Sequence, residues 1–239
     1  MGGVDRAAEA WIRAHVEPAG AIETAHQRPW ATVLRVPRAW LVALPLYAEL
    51  QRGEAAHAGD HLAHGVPDLR VAALPARYED LLRRDLPLEP GEIARLRGFA
   101  PRFAALCAEL AAHQVPETVQ HDDLHMANVY AQDGRLRLLD WGDASIAHPF
   151  ASLVVTFRFL EQRNGLRPAD PWFGRLRDAY LEPWGGGLAE PAALAIRVGA
   201  FAHPIAWTRQ RDHLPPAARP EFDQEFAVVL RRAVARTLR

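Results

Sequence analysis

The spacing of apolar and polar positions predicts a mostly helical chain, with one short tract where the period changes. Apolar residues recur at helical spacing over Val4–His15, where Ala8, Trp11 and Ile12 share a face, and Pro18 and Gly20 end the stretch. Ala31–Val36 alternates instead and is rich in β-branched residues, which predicts a strand that Pro37 stops. Arg38–His64 returns to the helical pattern, interrupted or begun near Pro45. Asp68–Ala76, bordered by Pro67 and holding Pro75, reads as a connector. Arg77–Arg84 reads as a short helix, and Leu88–Ala100 and Arg102–His113 as two helices split by Pro101. Glu89, Glu92 and Arg95 put opposite charges three or four apart on an exposed face. Ala151–Leu160 is almost wholly apolar, which predicts a segment buried on all sides. Asp170 before Pro171 is an N-cap with a first-turn proline, opening a helix that carries Leu176 and Tyr180. Pro191–Trp207 and Arg219–Leu238 are two further helices. The last places Phe222, Phe226, Val229, Leu230 and Val234 on one stripe that docks on the body.

The period changes between His121 and Asp143, which read H-D-D-L-H-M-A-N-V-Y-A-Q-D-G-R-L-R-L-L-D-W-G-D. Val129 and Tyr130 are strand formers, Asp133-Gly134 is a two-residue turn signal, and Leu136, Leu138 and Leu139 resume an apolar run. A tight hairpin returns the chain near its start, so Asp140 is expected close to Asp123 and Asn128. Oxygen-bearing side chains gathered in that way suit a hard divalent cation such as Mg²⁺, which in turn serves a nucleoside triphosphate.

This stretch resembles the catalytic segment of the aminoglycoside phosphotransferase and choline kinase-like family, which shares the protein-kinase fold. The family pattern is H-x-D-x-x-x-x-N followed, one hairpin later, by an Asp that opens a short acidic motif. Here it falls on His121, Asp123 and Asn128, and then on Asp140-Trp141-Gly142-Asp143. The resemblance implies that Asp123 accepts or orients the proton of a substrate hydroxyl. It implies that Asn128 and Asp140 hold Mg²⁺ with ATP, and that His121 braces the loop from below. Asp143 is a candidate auxiliary metal carboxylate, and Asp122 and His125 stay unassigned.

The 28 basic residues are all arginine, and the sequence contains no lysine. Kinases of this fold place a lysine from an N-lobe strand on the nucleotide phosphates. No residue of this sequence can be that lysine, and arginine, a planar fork, is not an equivalent point charge. The helical pattern that begins at Arg38 also leaves little room for a five-stranded lobe. The expectation is therefore an α+β, mostly α chain. Residues 1–37 form a reduced remnant of the nucleotide-binding lobe, and residues 38–239 form a kinase-like helical lobe with a catalytic-loop hairpin.

Composition narrows the function classes. A net charge of -1 over 239 residues gives no basic footprint for nucleic acid or a membrane surface. No apolar run approaches the roughly 20 residues that span a bilayer. The single Cys107 excludes an intrachain disulfide framework and fits a reducing, cytoplasmic setting. It lies in an apolar run, as a small core residue does. Neutral composition is compatible with a homodimer. The acceptor is a small molecule, and the acidic patches suit a cationic amine, although those acids are already claimed by the metal. Two other classes fit parts of the pattern. H-D-D-x-H also belongs to the vocabulary of metal-dependent phosphohydrolases, in which the segment would be helical. A helical lobe without its nucleotide clamp would be a non-catalytic binding module.

Overall fold

The computed structural model describes residues 23–28, 31–35, 40–132, 135–164 and 170–237. The helix expected over Val4–His15 and the turn dipeptide Asp133-Gly134 lie outside these residues. What is described is α+β and mostly helical, as the periodicity predicted. Among the described residues no helix is long and apolar enough to cross a membrane.

Near the N-terminus, β1 (Glu23–Arg28) pairs antiparallel with β2 (Ala31–Arg35). The sequence pointed only to the second of these. Glu-Thr-Ala-His-Gln-Arg is polar with one β-branched residue, so a neighbour rather than propensity makes it a strand. Next, α1 (Trp40–Glu54) buries Trp40, Ala43, Leu44, Tyr47, Ala48 and Gln51, a stripe at helical spacing that runs through Pro45. A 3₁₀ turn and α2 (Ala58–Ala63) follow, where His61 meets Glu54 at 2.9 Å, and His57 and His64 are exposed. The strand β3 (Asp68–Leu69) and α3 (Leu74–Leu82) come next.

The longest correction to the periodicity is α4 (Pro90–Ala111), one helix where two were expected. Pro101 removes one backbone donor, a cost of about 3 kcal/mol in an isolated helix. The buried face of Leu96, Phe103, Leu106, Cys107 and Leu110 continues in phase across it, however, and α4 packs on α3. Tertiary burial keeps the helix whole. Its start is a capping box: the Glu89 backbone N–H donates to Glu92 Oε2 at 3.0 Å, and Glu92 also meets Arg231. Cys107 is buried, which pushes its thiol up to about 12 and makes it a packing residue.

A small mixed sheet then frames the segment from His121 to Asp143. β4 (Thr118–Gln120) pairs antiparallel with β7 (Ser145–Ala147), and β7 runs parallel to β3. Both ends of the segment are thus tied to one three-stranded sheet. Between them, β5 (Val129–Gln132) and β6 (Arg135–Leu138) pair antiparallel with Gln132 opposite Arg135, the register of a two-residue turn. β2 packs beside β5.

Four helices close the fold: α5 (Leu153–Asn164), α6 (Pro171–Leu181), α7 (Ala189–His213) and α8 (Arg219–Arg236). Asp170 caps α6, its Oδ1 accepting from Trp172 N at 2.9 Å. α5 is not buried all round: Phe157, Arg158 and Phe159 are half-exposed, because its outer face opens on cavities. Gly199 lets α7 approach the turn before α5, where a Cβ would stand 2.9 Å from Ala151 Cβ and 3.0 Å from Val154 Cγ2. In α8, Phe226, Val229, Leu230 and Val234 are buried, as the stripe predicted.

Candidate active site

His121 follows β4 directly and is wholly buried. Its backbone N–H donates to Tyr47 Oη at 3.0 Å, and its Nε2 bonds the Leu139 carbonyl at 2.8 Å. Its ring lies 4.7 Å from that of Trp141, and Trp141 Nε1 donates to the Leu138 carbonyl at 3.0 Å. Leu139 N in turn donates to the Asn128 carbonyl at 3.0 Å. Leu139 is therefore tied to both His121 and Asn128, and the backbone of Asp140 starts one residue from that junction.

Tyr47 is itself held in a buried polar cluster. Its hydroxyl bonds Ser152 Oγ at 3.0 Å and receives Gln51 Nε2 at 3.1 Å. Gln51 also donates to the Val119 carbonyl and accepts from Tyr180 Oη at 2.6 Å. The cluster ties α1, α6 and the turn before α5 to the root of the loop.

Two aspartates sit in the left-handed region, Asp122 at φ 61° and Asp140 at φ 64°. This backbone is unusual for non-glycine residues, with Asp among the tolerated types. The twist separates two adjacent acids. Asp122 points inward, where it accepts from Gln120 Nε2 and Ser145 Oγ. Burial pushes its carboxyl up to about 6 against the pull of those two hydrogen bonds, with Asp143 adding a like charge.

Asp123 is half-buried and faces a cavity. Burial pushes its pKa up, but the His125 hydrogen bond, the charges of His125 and His121, and the Asn128 hydrogen bond outweigh it and leave it below the ordinary value. His125 Nδ1 accepts from Ala127 N at 3.1 Å, which puts the proton on Nε2, 3.1 Å from Asp123 Oδ2. Asn128 Nδ2 donates to the Asp123 carbonyl at 3.0 Å and to Oδ2 at 3.2 Å. Both contacts fall on Oδ2. Oδ1 has no hydrogen-bond partner among the described residues.

The cavity measures about 230 Å³ and is lined by Asp122, Asp123, Asp143, Arg158, His203 and Trp207. Asp140 and Asn128 are not on its wall. The sequence offered no pointer to Arg158, His203 or Trp207, which come from α5 and α7. The i, i+4 spacing of His203 and Trp207 marks one helix face without saying what it meets. Arg209, also on α7, donates from Nη2 to the Gly142 carbonyl at 2.7 Å and holds the Asp140–Asp143 turn against the body.

For Mg²⁺, the donor chemistry fits. With Asn128 Nδ2 committed to Asp123, the amide oxygen lies on the opposite side of the amide, an oxygen donor in a nearly buried residue. Asp140 and Asp143 are carboxylates on the adjoining turn, and Mg²⁺ needs only one or two protein carboxylates beside water and phosphate oxygens. Among the described residues no three His, Cys, Asp or Glu side chains converge as a metal site of their own. The two histidines of H-D-D-x-H are also spoken for. His121 is sealed under Trp141, and both ring nitrogens of His125 are hydrogen-bonded. Among the described residues these two histidines join no three-ligand cluster.

Residues 10–197 match the phosphotransferase enzyme family. No curated protein matches. Two solved structures are similar. A choline/ethanolamine kinase family protein from Mesorhizobium loti is 16% identical with a TM-score of 0.48, over 99% of this chain and 84% of that one. A glucosamine kinase is 17% identical with a TM-score of 0.43, over 83% of this chain and 53% of that one.

Proposed function

The chain belongs to the phosphotransferase enzyme family, and from that premise we propose that it transfers the γ-phosphoryl group of ATP to a hydroxyl of a small molecule. The observation that carries the reading is Asp123: an ionised carboxylate at a cavity wall, fixed through Oδ2 by His125 and Asn128, with Oδ1 left for a ligand. Asp123 orients the acceptor hydroxyl through Oδ1 and takes its proton as the new P–O bond forms. Its lowered pKa suits a loose transition state, in which the alcohol need not be deprotonated in advance. His125 holds the carboxylate in one rotamer. His121 and Tyr47 hold the loop from beneath, and Arg209 holds the opposing turn. Asn128 and Asp140, with Asp143 beside them, are the residues that would hold Mg²⁺. When bound, the ion neutralises charge on the nucleotide phosphates. Because the sequence has no lysine, the strong cations this chain offers to phosphate are guanidinium groups.

The test is ADP release from Mg-ATP across a panel of small alcohols, with Asp123→Ala beside the natural chain. The variant should lose about 10² to 10⁴ in rate, the usual size of such a contribution, with its far-UV circular dichroism unchanged. Equal turnover in the variant removes Asp123 from the role. A chain that fails to bind Mg-ATP in a titration is the non-catalytic module that the missing lysine would favour.

A further inference from the structure

A second cavity adjoins the first. It measures about 580 Å³ and is walled by α5, α7 and α8, a size suited to a small metabolite. Arg158 and His203 line both cavities. The charge reverses from one to the other. The first gathers Asp122, Asp123 and Asp143, whereas the second gathers Arg158, Arg197, Arg232 and Arg236 against the lone acid Glu161, over an apolar floor that includes Phe157.

Two of these guanidinium groups carry no neutralising partner among the described residues. Arg197 and Arg232 are exposed and have no ion-pair or hydrogen-bond partner among the described residues. Arg158 is half-buried, and its Nη1 donates to His203 Nε2 at 2.8 Å, an uncharged partner. Burial holds His203 far below its usual range, at about 3, so it accepts from Arg158 as a neutral ring. Burial also lowers the Arg158 pKa, and the charge of Arg232 adds to that, against the opposing pull of the Asp123 carboxylate. Arginines grouped around a concave surface without carboxylate partners are built for a bidentate oxyanion.

We infer that the acceptor carries an anionic group, a carboxylate or a phosphate, held by Arg158, Arg197 and Arg232 while its hydroxyl reaches Asp123. This rests on the phosphotransfer reading above. A cationic amine, which the acidic cavity alone would invite, would have to lie against the arginines.

Isothermal titration of the full chain at pH 7, without nucleotide, tests it with gluconate, glucose 6-phosphate, glucose and glucosamine. The two anions should bind at least tenfold more tightly than glucose, and glucosamine more weakly still. The order of gluconate and glucose 6-phosphate separates a carboxylate site from a phosphate site. Arg197→Gln and Arg232→Gln should each weaken the better anion by about tenfold, the size of one charge-assisted contact. Their urea midpoints should stay unchanged, since neither side chain is packed in the core. Preference for glucose or glucosamine, binding of none of the four, or unaltered anion affinity in the double variant overturns the inference. Since no nucleotide enters, failed phosphotransfer leaves this result standing, and failed anion binding leaves the Asp123 test standing.

Discussion

Asp122 is the most costly charge in the loop, and Asp122→Asn isolates its cost. The carboxyl is fully buried and raised from 3.8 to about 6. A rise of that size, at about 1.4 kcal/mol per pH unit, means that ionising Asp122 costs the folded state about 3 kcal/mol. The folded protein holds this proton more tightly than the unfolded chain. The stabilising contribution is therefore complete below about pH 3.8, shrinks as pH rises, and is gone above about pH 6. An asparagine has no such charge to bury and tolerates the left-handed backbone at φ 61°. It also has a partner waiting. Gln120 Oε1 is buried without a hydrogen bond among the described residues, and a flipped Gln120 amide would accept from the new Nδ2 while Ser145 Oγ still donates to the new Oδ1.

The variant should thus match the natural chain in stability near pH 4 and gain on it up to pH 6. It should then lead by about 3 kcal/mol on the plateau above. Urea unfolding of both proteins at half-unit steps from pH 4 to 8, with EDTA present, gives the difference curve directly. Other titrating groups cancel in the difference. A flat curve, or one that falls with pH, would refute the assignment of a raised carboxyl to this position. Asp123, whose pKa is lowered, gives the opposite slope, so the sign also tells the two neighbours apart.

Two further substitutions probe the supports of the site. Tyr47→Phe strands the His121 N–H in a buried place, while the Gln51 amide keeps Val119, Ser152 and Tyr180. It should cost about 1–3 kcal/mol in urea unfolding and lower kcat more than KM, because the loop that positions Asp123 moves while the side of the cavity formed by α5 and α7 stays; an unchanged midpoint would sink this account. Gly199→Ala drives a methyl to 2.9 Å from Ala151 Cβ. Overpacking of about 1–3 kcal/mol should outweigh the helix-propensity gain of about 1 kcal/mol, so the Tm should fall; a higher Tm would show that the α7 contact has room to give.

The His121–Asp143 segment and the type of most elements were legible in the sequence because both are short-range. His121, Asp123 and Asn128 stand at fixed offsets within one loop, and the flanking strands pair in the register that places Gln132 opposite Arg135. The two-helix expectation for residues 88–113 went wrong for a related reason. A proline is a local signal, while the burial that overrides it at Pro101 comes from α3, on a different helix. Glu89 looks in the sequence like part of a surface charge pattern because a glutamate is a rare N-cap; the Glu92 contact reveals its role.

The arginine-lined cavity was illegible for a deeper reason. Periodicity says which face of a helix is buried, not which helix it meets, so nothing placed Arg158 of α5 beside His203 of α7. The same holds for Gln51. Its only mark in the sequence is a polar residue four after Tyr47 on an otherwise apolar stripe. In the fold it binds Val119, Tyr47, Ser152 and Tyr180 at once. A buried amide costs little when it is satisfied and a great deal when it is not. That asymmetry argues that polar interruptions of a core stripe are the positions to suspect first, since each must find partners far along the chain. Here the partners found by Tyr47 and Gln51 are the backbone of the loop that carries Asp123 and the strand that leads into it.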